Sequence, residues 1–154
     1  MGLFHSFYDH KRVAIAGWNK IEIWDVTSGQ QVGIVPIRVY NLHDIAWSKD
    51  DSYIVSADWT QGGIIWDVRQ YKRLHSLGDS EAARSVDWSN NNKYIIIGGG
   101  FIRSGYIKIY DARNYRLLKK IEAYNLLRDL ALSPDDQYMA SGHEWGVVKL
   151  WGMR

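Results

Sequence analysis

Four times along the chain an aromatic residue closes a short apolar run and is followed at once by a turn. The runs are Ile21-Glu22-Ile23-Trp24-Asp25, Ile64-Ile65-Trp66-Asp67, Ile107-Lys108-Ile109-Tyr110-Asp111 and Val148-Lys149-Leu150-Trp151-Gly152. Their aromatics, Trp24, Trp66, Tyr110 and Trp151, stand 42, 44 and 41 residues apart. A fixed period near forty means a stack of equivalent supersecondary units, not one irregular domain. Arrays of this kind usually hold a surface for partners rather than a reaction centre.

A second column keeps step with the first. Phe7, Trp47, Trp88 and Leu132 are 40, 41 and 44 residues apart, and each is followed six residues later by Val13, Tyr53, Tyr94 or Tyr138. The stretches between are rich in Asp, Asn, Ser and Lys, which are turn compositions. Two apolar runs joined by such a turn read as a β-hairpin. Each unit then holds four strands: one ending at the Trp47-type position, one of the type 53–57, the aromatic-Asp strand, and a more polar run at 31–36, 73–77 or 117–121. Val, Ile, Tyr and Trp dominate the first three, as pleated half-buried surfaces favour. Pro36 lacks the N–H a ladder needs, so the fourth strand is predicted to be an outer edge. No window carries capped helical periodicity.

Trp24-Asp25, Trp66-Asp67, Tyr110-Asp111 and the strand ending in Trp151 resemble the blades of WD-repeat β-propellers. Leu130-Ala131-Leu132-Ser133-Pro134-Asp135-Asp136, followed by Met139-Ala140-Ser141-Gly142, matches the central signature of that family. The resemblance covers essentially the whole chain. It implies an all-β fold of radially arranged, four-stranded antiparallel blades around a channel, in units of about 1–38, 39–79, 80–123 and 124–154. The family often carries Gly-His before the first strand and an Asp six residues before the Trp. Here those six-before positions are Trp18, Thr60, Ser104 and Trp145, and Gly142-His143 lies in another loop. The buried Asp-His-Ser-Trp network of many blades is therefore expected to be absent, with apolar packing carrying the stability.

The last unit ends at Trp151-Gly152-Met153-Arg154, after its third strand. The expectation is three complete blades and a three-stranded fourth, a partial or half propeller. Closed rings of the family usually take such a missing strand from the N-terminus, but here the first strand begins almost at Met1. Three readings stay open: a piece of a longer propeller, a half-propeller pairing with another copy or chain, or a four-bladed ring. An open array exposes the apolar sides of its end blades. Even ~500 Å² of exposed apolar face forfeits on the order of 12 kcal/mol of burial, more than the net stability of many domains. Completion by further blades, self-association or another chain is therefore expected.

The 154 residues suffice for one domain, and 46% hydrophobic content allows a packed core. With 19 basic and 17 acidic residues the net charge of +2 gives no nucleic-acid footprint. The absence of cysteine excludes disulfides, thiolate metal sites and a Cys nucleophile. Met1-Gly2-Leu3-Phe4-His5-Ser6 fits a myristoylation pattern, but alignment with the later units makes it the innermost strand of the first. No signal peptide and no membrane-length apolar run is visible. The expected location is cytoplasmic, with the nucleus possible, and no membrane partner is expected.

No reactive constellation stands out. His5, His10, His43, His75 and His143 lack the spacing of a zinc motif, and the equivalents of His43 are Leu3, Arg84 and Arg128, which is not a ligand set. Gly98-Gly99-Gly100 lacks the Gly-Lys-Ser/Thr ending of a phosphate loop. No metal, no cofactor and no enzymatic activity are expected.

The expected function is a non-enzymatic protein–protein interaction scaffold, binding through rim and funnel. The loop between second and third strands carries an aromatic in each unit: Trp18, Trp59, Phe101 and Trp145. In the family these loops share a face with the entrance to the innermost strand, which here carries His43-Asp44, Arg84-Ser85 and Arg128-Asp129. Aromatics with Arg are the types enriched in binding hot spots; the other reading is that the aromatics wedge between blades as packing. Trp66-Asp67-Val68-Arg69 and Tyr110-Asp111-Ala112-Arg113 also resemble the WDxR ending of cullin–RING ubiquitin-ligase substrate receptors. Arg69 and Arg113 are thus alternative adaptor contacts. An enzyme with a propeller-borne site is the alternative of another class.

Overall fold

The computed structural model describes residues 3–6, 11–17, 19–38, 41–78 and 81–153; only the backbone is described for 3–6. Among the described residues fifteen strands form four antiparallel sheets, each a meander in sequence order. The first is β1 (Leu3–Ser6), β2 (Arg12–Ala16), β3 (Lys20–Asp25) and β4 (Gln31–Pro36). The second is β5 (Leu42–Trp47), β6 (Tyr53–Asp58), β7 (Gly62–Asp67) and β8 (Lys72–Ser76). The third is β9 (Ala83–Trp88), β10 (Tyr94–Phe101), β11 (Ser104–Asp111) and β12 (Leu117–Ala123). The fourth has three strands, β13 (Leu127–Leu132), β14 (Tyr138–His143) and β15 (Val147–Gly152), with a 3-10 turn at Glu144–Gly146. This is the partial propeller the repeat implies, with Pro36 on an outer strand.

Alternation within each strand gives the second and third blades two buried faces, each turned to a neighbouring blade. Ala14, Ala16, Ile21 and Ile23 of the first blade pack on Ile45, Trp47, Ile54, Ile64 and Trp66 of the second. Val55, Ala57 and Ile65 on the second blade's other face meet Val86, Trp88, Ile95 and Ile97 of the third. Ile96, Ile107 and Ile109 then meet Leu127, Leu130 and Met139 of the fourth. Among the described residues none covers the fourth blade's trailing face: Val148 and Leu150 are 75% and 73% exposed.

Polar contacts repeat alongside this packing. Asp51, Asn92 and Asp136 each hold a left-handed φ of 56° in the first hairpin turn of their blade, a conformation short polar side chains tolerate. Asn92 reaches back to accept from the Lys49 N–H at 2.7 Å, and Asp136 accepts from the Asn90 and Asn91 N–H groups, both at 2.8 Å. Further out, the Tyr71 hydroxyl donates to the Val32 carbonyl at 3.2 Å, and the Tyr115 ring stacks on His75 at 4.8 Å. Tyr71 lies so close over Gly33 that a Cβ there would come within 2.4 Å of its ring.

Two expectations need correction. In the first unit Arg12 faces Asp25 as Tyr53 faces Asp67, and Ser6 faces Val13 as Trp47 faces Ile54. The repeat there is displaced by one residue from the Val13-based column; Phe7 lies outside the described residues. The absence of a Trp–Ser network also does not hold for every blade. The Trp66 indole N–H donates to Ser56 Oγ at 2.9 Å, and that of Trp151 to Ser141 Oγ at 2.8 Å. In the fourth blade His143 extends the chain, with Nε2 2.8 Å from Ser141 Oγ and Nδ1 3.3 Å from the Asn125 carbonyl. A carbonyl only accepts, so Nδ1 carries the proton and Nε2 accepts from the serine. His143 reaches this position from the end of β14, a different place from the one the family's Gly-His pair implies.

Candidate partner-binding rim

At the same point in three consecutive blades the ladder between the first and second strands skips one residue. Leu42 faces Asp58 and Asp44 faces Ala57, leaving His43 unpaired. Ser85 faces Gly98 and Ala83 faces Gly99, leaving Arg84 unpaired; Arg128 is left out in the same way between Leu127 and Asp129. A bulge re-aims the side chain it isolates. His43, Arg84 and Arg128 are thus lifted off the sheet faces, where their neighbours alternate.

The loop aromatics meet two of these side chains. Trp59 follows β6, and Asp58 fixes its turn: the carboxylate accepts from the Thr60 N–H, the Thr60 hydroxyl and the Gln61 N–H at 2.7–2.8 Å. The Trp59 ring takes the His43 ring edge-on at 5.9 Å and the Phe101 ring at 5.3 Å. The Arg84 guanidinium lies 4.4 Å over its centroid, within cation–π range. Phe101, at the tip of the β10–β11 hairpin, is 53% exposed, and Trp145, in the 3-10 turn, is 64% exposed. Beside Trp145, Arg128 holds Glu144 through two parallel bonds of 2.5 and 3.0 Å. Trp18 lies outside the described residues.

Asp44 and Ser85 do not face outward, which corrects their assignment as partner contacts. Both are buried. Asp44 accepts from the Ile45 N–H at 2.8 Å in its own blade, and from the Val86 N–H at 2.9 Å and the Ser85 hydroxyl at 3.0 Å in the next. Ser85 Oγ in turn accepts from the Leu130 N–H at 3.1 Å and lies 3.0 Å from Asp129 Oδ1. The three residues form a polar ladder joining blades two, three and four behind the rim. Asp129, on the last blade, is exposed. Arg69 and Arg113 are exposed at equivalent corners, where their N–H groups donate to Asp67 and Asp111 at 2.8 and 2.7 Å.

The electrostatics of the rim are uneven. Glu144 is held below the ordinary carboxylate range by the Arg128 hydrogen bond, and Arg128 is raised by the same bond. Arg84 is lowered, first by burial and then by the charge of Arg128. His43 is lowered by burial and then by Arg84. The rim offers aromatic area, cations and hydrogen-bond donors. The Ser141–His143 pair, although within hydrogen-bond reach, is buried in the fourth blade, and its hydroxyl already takes the Trp151 indole. Among the described residues no group of three or more His, Asp or Glu converges as a metal site, and no helix is long and apolar enough to cross a membrane.

The bulges lie where the family resemblance implies them, whereas sequence reading missed the Asp44–Ser85–Asp129 ladder and the Asp58 turn. Only the last left a local signal, an Asp two residues before Thr60 and four before Gly62, as an Asx turn requires.

Known proteins with similar chains share this architecture. Autophagy-related protein 16 of Arabidopsis thaliana is 27% identical over 156 residues, covering 96% of this chain and 30% of its own length. WD repeat-containing protein AAC3 of Dictyostelium discoideum is 27% identical over 147 residues, covering 90% of this chain and 30% of its own. The chain thus spans about a third of the length of these relatives. Among solved structures, the Kuenenia stuttgartiensis hydrazine synthase superposes with a TM-score of 0.85 over 97% of this chain and 45% of that one, at 13% identity, a likeness of fold alone. The chain is a WD-repeat β-propeller protein. Residues 27–149 match the family model described as "Eukaryotic translation initiation factor eIF2A", and the chain belongs to that family.

Proposed function

We propose that the chain is a non-enzymatic scaffold that holds a protein partner on the rim formed by Trp59, Phe101, Trp145, His43, Arg84 and Arg128. The observation that carries this reading is the recurrence of the bulge in three blades, which turns one side chain per blade toward the aromatic loops. Mixed aromatic and Arg surface on a rigid frame suits hot-spot recognition. Its relatives include a protein named for the same repeat, WD repeat-containing protein AAC3, and one named for a protein complex, GATOR2 complex protein Wdr24 of Drosophila melanogaster. The blade packing supports completion of the array by further blades, another copy or another chain, since the trailing face of the fourth blade is apolar and open. Binding takes place inside the cell, in cytoplasm or nucleus.

The test is affinity capture from an extract with the wild-type chain and with Phe101→Ala and Trp145→Ala, both exposed positions. Loss of the same specific partner in both variants, with unchanged far-UV circular dichroism and urea midpoint, is the expected result. Retention of every wild-type partner by both folded variants refutes the reading.

The family match favours a narrower second reading, in which the scaffold serves an assembly of translation initiation. Sedimentation of the tagged chain with small ribosomal subunits on a sucrose gradient, abolished by the rim substitutions, supports it. Migration with free protein alone rejects it.

A further inference from the structure

One cation of the rim stands apart from the others. Arg128 has its carboxylate, since both of its bonds go to Glu144. Arg84 has none: among the described residues its guanidinium meets only the face of Trp59, and its Nε is buried without an acceptor. The acids nearby are already engaged. Asp58 takes the N–H groups and hydroxyl of its own turn. Asp44 takes the Val86 N–H and the Ser85 hydroxyl. A half-buried guanidinium without a bonded anion is costly, because desolvation disfavours the charge and Glu144, bonded to Arg128, offsets it only through space. Stacking on an indole satisfies the flat face of the group but none of its N–H donors, which point outward in the guanidinium plane.

We infer that the rim recognises an acidic partner, whose Asp or Glu carboxylate seats on the in-plane N–H groups of Arg84 while an apolar neighbour lies against Phe101 and Trp59. The inference rests on the rim as the partner-binding surface and adds the chemistry of what it takes. Guanidinium and carboxylate match bidentately, with two parallel N–H···O bonds. Trp59 positions the group, since the Arg84 guanidinium carbon lies 4.4 Å over one face of the indole and Phe101 meets the ring edge-on at 5.3 Å. His43, edge-on to the same ring, adds a second donor without adding positive charge at neutral pH, because burial and Arg84 hold its pKa below the ordinary value. A basic partner is matched less well here: Glu144 is taken by Arg128, Asp44 is buried, and the exposed Asp129 already accepts from the Leu130 N–H and the Ser85 hydroxyl.

The experiment uses capped hexaglutamate, hexaglutamine and hexalysine peptides against the whole chain labelled with nitrogen-15. It follows the Arg84 Nε–H and Trp59 indole N–H resonances, assigned with Arg84→Gln and Trp59→Phe. Hexaglutamate is expected to shift both signals saturably, and hexaglutamine far less. Arg84→Gln should weaken the binding about tenfold or more, the equivalent of about 1.4 kcal/mol. Arg84→Lys, which keeps charge but not the planar fork, should weaken it several-fold. Equal affinity for Arg84→Gln, no movement of either signal, or a stronger response to hexalysine overturns the inference. The underlying reading is judged separately. A captured partner that is lost with Phe101→Ala but kept by Arg84→Gln leaves the rim standing and removes the carboxylate. A partner indifferent to both removes the two together.

Discussion

Removing the Asp44 carboxylate is the sharpest test of how the blades are joined. It accepts from two backbone N–H groups, Ile45 in its own blade and Val86 in the next, and from the Ser85 hydroxyl. The site is only 7% exposed, so water cannot replace the lost acceptor freely. An orphaned buried donor costs about 1–3 kcal/mol, so Asp44→Ala is expected to destabilise by about 3–4 kcal/mol. Asp44→Asn keeps one acceptor oxygen and should cost about half as much. The control is Asp129→Ala, at the equivalent place on the last blade. Its carboxylate ends the ladder, accepting from the Leu130 N–H at 2.9 Å and the Ser85 hydroxyl at 3.0 Å, but it is exposed and, among the described residues, reaches no further blade. Its loss should cost about 1 kcal/mol or less. Urea unfolding followed by tryptophan fluorescence and circular dichroism measures all three. If the ladder couples the blades, Asp44→Ala should also separate the two probes or lower the m-value, as cooperativity is lost. Equal costs for Asp44→Ala and Asp129→Ala would refute the ladder as an inter-blade joint.

Glu81→Gln should destabilise by about 2 kcal/mol or more, because Lys108 is buried 2.8 Å from it; Lys108→Met, which removes the buried charge itself, should cost less. Thermal melts decide the order, and the reverse order contradicts the argument. Gly99→Ala should cost about 3 kcal/mol, since a Cβ there would lie 2.0 Å from the Ala82 carbonyl oxygen, whereas Gly152→Ala meets nothing and should stay within about 0.5 kcal/mol. The folded-state pKa of His43 is lowered by burial, so its contribution to stability is complete above the ordinary histidine value and is lost as pH falls through that value toward the lowered one. Wild type should therefore lose stability relative to His43→Gln between pH 7.5 and 5.5, and a flat difference counts against this.

The blade pattern was legible because each blade repeats the same alternation against the same neighbours. Trp24, Trp66, Tyr110 and Trp151 all close a third strand, and Pro36 lies on an edge because proline cannot sit elsewhere. The rim was only partly legible. Rotational repetition placed Trp59 near Phe101, but adjacency in a column does not say which side chains turn outward. His43 and Asp44 are neighbours in sequence, yet the bulge turns His43 toward Trp59 and leaves Asp44 buried against the third blade. That choice depends on which residue the ladder skips, and no local composition encodes it. The first unit was read one residue out of step because its second strand begins with Arg12 where the siblings begin with Tyr53, Tyr94 and Tyr138. The Ser–His–indole chain of the fourth blade escaped because His143 enters it from an unexpected strand end.

Each of the first three blades packs its trailing face on residues that come about forty positions later. On the ribosome this spacing becomes a delay. At about 5–20 residues per second, roughly 2–8 seconds pass between completing one blade and completing the blade that covers it. Through that interval Val55 and Ile65, or Ile96 and Ile107, face water on a finished sheet. The nascent chain always carries one bare apolar face, and that face moves along the molecule as synthesis proceeds. Slow codons within the third blade would lengthen the exposure of the second, and a chaperone that recognises flat aliphatic sheet would meet the same binding site three times in succession.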